Sequence, residues 1–388
     1  MKLGELRDKI PQLSEGVYLD SAATSLKPSS VIDAVSSAYR ESANIHRSPH
    51  ALGQRVTQRY ESVRGLVKDL FNAHDYDVVF TRGATEALNL VIAGVARADS
   101  GAIVTSVIDH HSSFVAAQQH AMRNECDFRV LDVANGFSLE GIDGASLVSV
   151  PMVSNVTGEI LNYADVVERA HSCGARVILD ACQAAPHLLL DCDATGADAY
   201  ALSAHKMLGP TGLGILIAKR ELLESIEPSL FGGEMVDRVS ASETSFASVP
   251  LRFEAGTMPI AQVIAFAESL RILASLDRSE LEAHRISLST KLLSGLSGLG
   301  VRILSAYDDP LAHARIPIAS FAGSFNAFDT ALLLDAKGVA LRSGHHCAEP
   351  FHASLGLDGS VRASAYLYSN EEDLDVFFDE LSDVMNHA

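Results

Sequence analysis

The sequence predicts an α/β protein: a mostly parallel sheet of seven strands covered on both faces, followed by a smaller α/β domain. Three observations carry this. Short β-branched or apolar runs recur between amphipathic segments from about residue 76 to 218, the alternation expected of strand–helix units. Helical spacing then dominates over 260–276 and 279–296. The chain, at 388 residues, also exceeds what one hydrophobic core usually serves, so about two or three units are expected.

In order, the strand candidates of the large sheet are 77–81, 101–106, 127–132, 146–150, 176–180, 199–203 and 214–218. The C-terminal third offers shorter ones at 301–304, 316–321 and 339–342, then an acidic helix over 371–385. These place a large domain at 15–265 and a smaller one in 1–14 plus 266–388.

Composition removes several function classes. An apolar content of 47% with 20% charged residues excludes disorder. Lys and Arg number 30 against 49 Asp and Glu, a net charge of −19. Such a surface repels nucleic acid and anionic lipid, so any bound phosphate needs a specific local site. No apolar stretch approaches the roughly 20 residues that cross a bilayer. The N-terminus mixes charges and lacks the apolar core of a secretory signal. Five cysteines without a CxxC pair fit a reducing compartment. The expected location is the cytoplasm, with no nucleic-acid or membrane partner.

Ligands of such sheets bind beyond the carboxyl ends of the strands, and four strand ends carry chemistry. Thr81 leads into Arg82-Gly83-Ala84-Thr85-Glu86, a small-residue turn opening a helix. Its backbone N–H groups, the helix dipole and the Thr85 hydroxyl suit a phosphate; a plain N-cap is the simpler alternative. Asp180 ends a buried strand, where a carboxylate needs a cationic or hydrogen-bonding partner, such as a protonated pyridine nitrogen. Capping of the next helix explains it equally well. Lys206, in Ser203-Ala204-His205-Lys206, sits where a strand runs into a Gly/Pro turn, a better place for imine chemistry than a solvated surface. His110, after the 101–106 strand, is placed to stack on a flat ring or shuttle protons, unless His110 and His111 are simply helix-start polar residues.

Phosphate cradle, stacking imidazole, ring-nitrogen carboxylate and imine-forming lysine are together the parts of a pyridoxal phosphate enzyme. The chain resembles the class V aminotransferase branch of fold type I pyridoxal phosphate enzymes, and within it the group II cysteine desulfurases and selenocysteine lyase-like proteins. The resemblance runs from Tyr18-Leu19-Asp20-Ser21-Ala22-Ala23-Thr24 to Arg362-Ala363-Ser364. It is carried by Thr81-Arg82-Gly83-Ala84-Thr85-Glu86, Ser154-Asn155-Val156-Thr157-Gly158, Ser203-Ala204-His205-Lys206, Phe253-Glu254-Ala255-Gly256-Thr257 and, most specifically, Arg342-Ser343-Gly344-His345-His346-Cys347. Ala204 replaces a common Gly and Ser21 a common Asn; neither change removes a reacting group.

The resemblance implies that Lys206 carries the cofactor as an imine, Asp180 pairs with the ring nitrogen, His110 stacks on the ring and Gln183 reaches the ring oxygen. Ala84, Thr85, Ser203 and His205 would hold the phosphate, with Thr257 contributed by the second subunit of a homodimer. Asn155 and Arg362 would grip a substrate carboxylate, and Arg342 would support them. His46, Arg47 and His50 resemble the segment at the active-site entrance, without individual roles.

Cys347 decides the reaction. Its neighbours His345 and His346, if protonated, would favour its thiolate. A zinc site is the rival for His-His-Cys, but contiguous residues rarely supply three ligands to one tetrahedral ion, so no metal is expected. The other four cysteines read as structural. The resemblance thus implies conversion of L-cysteine to L-alanine with a persulfide on Cys347, the sulfur passing to an acceptor protein or scaffold in iron–sulfur cluster assembly. Alternatives are a selenocysteine lyase acting on L-selenocysteine, another class V activity, or a catalytically silent sulfur-transfer scaffold; the presence of both Lys206 and Cys347 argues against the last.

Overall fold

A computed structural model of the chain describes residues 2–188 and 190–387. Its large sheet contains β1 (Tyr76–Thr81), β2 (Ala102–Ser106), β3 (Phe128–Leu131), β4 (Ala145–Pro151), β5 (Arg176–Asp180), β6 (Ala199–Ser203) and β7 (Gly214–Lys219), in the order β1-β7-β6-β5-β4-β2-β3. Only β7 is reversed, antiparallel to both β1 and β6; the remaining pairs are parallel. All seven strands lie where the apolar runs predict them.

The period-two geometry of a strand sends alternate residues to opposite faces. Val79, Ile103, Leu147, Ile178 and Leu216 accordingly share one core with Leu88 and Val91 of the helix Ala84–Ala98. Val78, Phe80, Val104, Val148 and Leu179 share another with Tyr60 and Val67 of the helix Ala51–Leu70 and Phe266 of the helix Ile260–Ser275. Because both faces are covered, the strand ends are the place where polar groups gather.

A solvated hairpin, β8 (Val236–Val239) and β9 (Thr244–Phe246), precedes the second sheet. That sheet contains β10 (Arg302–Ile303), β11 (Ile318–Ala322), β12 (Arg342–Gly344) and β13 (Ser360–Ser364) in the antiparallel order β10-β11-β13-β12. Leu288 and Leu292 of the helix Arg278–Gly298 and Phe377 of the helix Glu371–His387 pack on Phe321, Val361 and Ala363. The expected strand at 339–342 divides in two: Val339–Ala340 pairs with Val17–Tyr18, and Arg342–Gly344 joins the sheet. Residues 17–20, which a boundary at 15 assigns to the large domain, thus attach to elements of the smaller one: Val17–Tyr18 forms a separate two-stranded sheet with Val339–Ala340, and Asp20 bridges to Ser364 of β13. Among the described residues no helix is long and apolar enough to cross a membrane.

Candidate active site

Turns leaving the carboxyl edge of the large sheet meet β12 and β13 of the smaller one around a cavity of about 230 Å³. Ala84, Thr85, His110, Asn155, Asp180, Gln183, Ser203, His205, Lys206, Arg342, Cys347 and Arg362 all line it. Thr257 does not: it lines a separate small cavity with His46, Glu234 and Glu254. A larger, mostly apolar cavity of about 300 Å³ near His187 and Leu270 contains none of these groups.

Sheet register builds the first wall. Thr81, Gly214 and Ser203 lie side by side across β1, β7 and β6, and the Ala84 N–H donates to Ser203 Oγ at 3.1 Å. A Cβ on Gly214 would stand 2.3 Å from the carbonyl carbon of Gly83, so the bare glycine admits the turn opening the helix Ala84–Ala98. Next to it, Ala204–Lys206 forms a single 3-10 turn. His205 presents Nδ1 to Thr24 Oγ1 at 3.2 Å, and its carbonyl accepts the Ser25 N–H at 2.9 Å. Burial, then the charges of Lys206 and Lys27, push the His205 imidazole down to about 4.

His110 is a helix-start residue that also faces the cavity. It caps the helix His111–Arg123, its Nδ1 accepting the Ser112 N–H at 3.1 Å, and it also lines the cavity. That bond leaves the proton on Nε2. Burial, then the nearby Lys206, push it down to about 4, so the ring is neutral at physiological pH. Asp180 is buried, and its Oδ1 accepts the Cys182 N–H at 2.9 Å. Gln183 Nε2 donates to the Ala22 carbonyl at 2.9 Å.

The opposite wall is cationic. Arg342 and Arg362 are register partners across β12 and β13. Arg362, 2% exposed, donates to the Asn155 carbonyl at 3.0 Å and to Asp20 Oδ1 at 3.1 Å, while its Nε has no partner among the protein's groups. A buried guanidinium N–H without a partner is costly, which marks this wall as a receptor for an anion. The Asn155 side chain, expected at a substrate carboxylate, lines the cavity and donates Nδ2 to the His346 carbonyl at 2.8 Å.

That bond fixes the turn carrying Cys347. His346 and Cys347 both adopt left-handed backbone, φ 52° and 59°, and the His111 N–H donates to the Cys347 carbonyl at 2.7 Å. The expectation that both adjacent imidazoles help charge the thiol needs correction. His346 is buried and pushed down to about 2, by desolvation first and then by Arg362, so it stays neutral. Sequence reading also missed Asp20 and Thr24, which hold Arg362 and His205; both lie in the Tyr18–Thr24 stretch, so the signal was present without a role attached. Among the described residues no group of three or more His, Cys, Asp or Glu is arranged to hold a metal ion.

The cavity thus joins an amine, a buried carboxylate, a neutral imidazole, a small-residue turn rich in N–H groups, a pair of guanidinium groups and a thiol. Such a set suits imine chemistry on an amino acid, with a sulfur nucleophile within the same wall. The family described as aminotransferase class-V matches residues 17–377. A probable cysteine desulfurase of Streptomyces coelicolor is 38% identical over 387 residues, covering 95% of this chain and 92% of the relative. One of Synechocystis is 38% identical over 379 residues, covering 94% and 90%. Among solved structures, the apo cysteine desulfurase of Thermococcus onnurineus superposes with a TM-score of 0.92 at 32% identity, covering 99% of this chain and 98% of that one. The cysteine desulfurase CsdA of Escherichia coli gives 0.87 at 32% identity, covering 100% and 99%.

Proposed function

Since the chain belongs to the class-V aminotransferase family, we propose that it is a pyridoxal phosphate-dependent cysteine desulfurase that converts L-cysteine to L-alanine and keeps the sulfur on Cys347. The observation that carries this reading is the presence of Lys206, Asp180, Arg362 and Cys347 on the wall of one cavity. The relatives named above bear that activity in their names.

The residues present fit the cofactor. The partnerless Arg362 Nε awaits an anion on one side, and the N–H-rich turn at Gly83–Thr85, opened by Gly214, suits a phosphate on the other. Pyridoxal phosphate, when bound, supplies an electron sink for charge developing at the substrate Cα. Lys206 would carry it and move the Cα proton. Asp180 would keep the ring nitrogen protonated, and neutral His110 would lie against the ring. Arg362, supported by Asp20 and Arg342, would hold the substrate carboxylate as a two-pronged donor. The Cys347 thiolate then attacks the substrate sulfur. The new S–S bond forms as the C–S bond breaks, its electron pair stays with the substrate carbon, and protonation there releases L-alanine. One L-cysteine and one thiol give one L-alanine and one persulfide.

The same reading makes the protein a cytoplasmic homodimer that passes its sulfur to an acceptor protein serving iron–sulfur cluster assembly. The test is incubation of the cofactor-loaded protein with L-cysteine, followed by alanine assay and peptide mass analysis. Alanine formation with one added sulfur on the Cys347 peptide is expected. Cys347→Ser should still change the cofactor absorbance on adding L-cysteine, yet lose alanine release by about a hundredfold or more, since a hydroxyl forms no persulfide. Alanine at the parental rate from that variant would sink the assignment.

A further inference from the structure

The environment of Cys347 contains a device the reaction above does not use. Ser360 on β13 and His352 in the helix Glu349–Ser354 are both fully buried. Ser360 Oγ lies 3.0 Å from His346 Nε2 and 2.9 Å from His352 Nε2. His352 Nδ1 lies 3.0 Å from the Ala348 carbonyl oxygen.

These contacts fix every proton. A carbonyl only accepts, so His352 Nδ1 carries the hydrogen, and the neutral ring presents Nε2 as an acceptor. Burial disfavours the charged form of both rings, which keeps them neutral. Ser360 must then donate its hydroxyl proton to His352 Nε2, and its oxygen accepts from His346 Nε2–H. His346 Nδ1 is left as a bare lone pair, in agreement with its having no partner. The chain of bonds runs from His346 through Ser360 and His352 to Ala348, so it joins the two residues flanking Cys347 to each other.

We propose that Ser360 and His352 are positioning residues for Cys347: with His346 they close a hydrogen-bonded clasp across the turn and hold the thiol in the cavity wall. The turn needs such a clasp. Two consecutive L-residues in left-handed backbone are disfavoured by contact between Cβ and carbonyl oxygen, and glycine, which would relieve it, is absent from both positions. Asn155 and His111 hold the carbonyls of His346 and Cys347 from the large domain; the clasp holds the same turn from the small one.

What the clasp positions Cys347 for rests on the desulfurase reading, so the test has an arm that does not. The first arm measures alkylation of Cys347 by iodoacetamide in the cofactor-loaded protein without substrate, the site read by peptide mass spectrometry. The second measures alanine formation from L-cysteine. Ser360→Ala should speed alkylation by about threefold or more and lower kcat by about tenfold, with KM within about twofold. Ser360→Thr, which keeps the hydroxyl, should restore both. His352→Phe should reproduce the Ser360→Ala effect, and the double variant should be no worse than either single one, because both break one chain of bonds. Alkylation and kcat both unchanged in Ser360→Ala would overturn the clasp, as would a loss that Ser360→Thr fails to restore or losses that add in the double variant. If no alanine forms in the parent while Ser360→Ala still speeds alkylation, the clasp stands and the desulfurase reading falls.

Discussion

The cavity histidines are defined by what surrounds them, and their protonation makes a stability prediction. His110 and His205 are pushed down to about 4 and His346 to about 2, with burial the largest cause in each. An unfolded histidine titrates near 6.5, so below that pH the unfolded chain binds protons the folded one refuses. Stability is therefore full above pH 6.5 and is lost as pH falls toward 4. Asp109 pulls the other way: burial raises its carboxyl to about 7, so its contribution is lost as pH rises from about 4 to 7. These imidazoles, joined by His187, which burial pushes down to about 3, outweigh one carboxyl, and the urea midpoint of the cofactor-free protein should fall between pH 6.5 and 5. His346→Phe should flatten that slope by up to about 1.4 kcal/mol per pH unit, since this ring is only 4% exposed. A midpoint that is flat in the parent, or equally steep in the variant, would show that the rings protonate freely in the folded state.

At the scale of elements, the site depends on how closely two backbones approach. Gly214 begins β7 at an ordinary extended position, and only the space beside it forbids a side chain: its Cβ would meet the backbone of Gly83 at 2.3 Å. Gly214→Ala should push the Gly83–Thr85 turn away from Ser203 and weaken cofactor retention by about tenfold or more while the sheet survives, because one methyl group costs far less than the core around it. Equilibrium dialysis against pyridoxal phosphate, with circular dichroism as the fold control, reads this; parental retention would mean the turn plays no part in holding the phosphate. The seven strands of this sheet were legible because burial on both faces demands near-continuous apolar runs. β13 was not, because Ser360, Arg362 and Ser364 are buried through hydrogen bonds to His346, Asp20, Asn155 and Leu19 and not through apolarity. The β8–β9 hairpin was missed for the opposite reason: it is almost wholly exposed, so no burial pattern shapes its sequence. Motif residues gave the cavity wall, but the roles of Asn155 and His346 in holding the Cys347 turn come from partners far apart in sequence, which spacing cannot reveal.

At the scale of the whole molecule, Thr257 poses the remaining question. Twelve of the thirteen expected site residues line one cavity of the single chain, and Thr257 lines another. Its loop is nonetheless firmly built. Glu254, three residues earlier and buried, accepts from Arg64 Nη1 and Nη2 at 2.7 and 2.9 Å, from Tyr60 Oη at 3.0 Å and from the Phe80 N–H at 2.8 Å. Near it the surface exposes Phe231 and Val239, 64% and 66% accessible, on and beside the hairpin, apolar area of the kind a subunit interface covers. A loop so rigidly held, whose Thr257 lies outside the lining of the Lys206 cavity, fits a residue acting on a partner copy. Mixing two inactive variants tests this directly. Lys206→Ala lacks the lysine, and Thr257→Asp would set a carboxylate against the phosphate. If Thr257 acts across the interface, a mixed dimer has one site with an intact Lys206 facing an intact Thr257. Random reassortment of equal amounts should then restore about a quarter of parental alanine formation, since half the dimers are mixed and each has one competent site. If Thr257 acts within its own chain, every site in the mixture stays defective and no activity returns, which would remove the shared-site dimer from the proposed function.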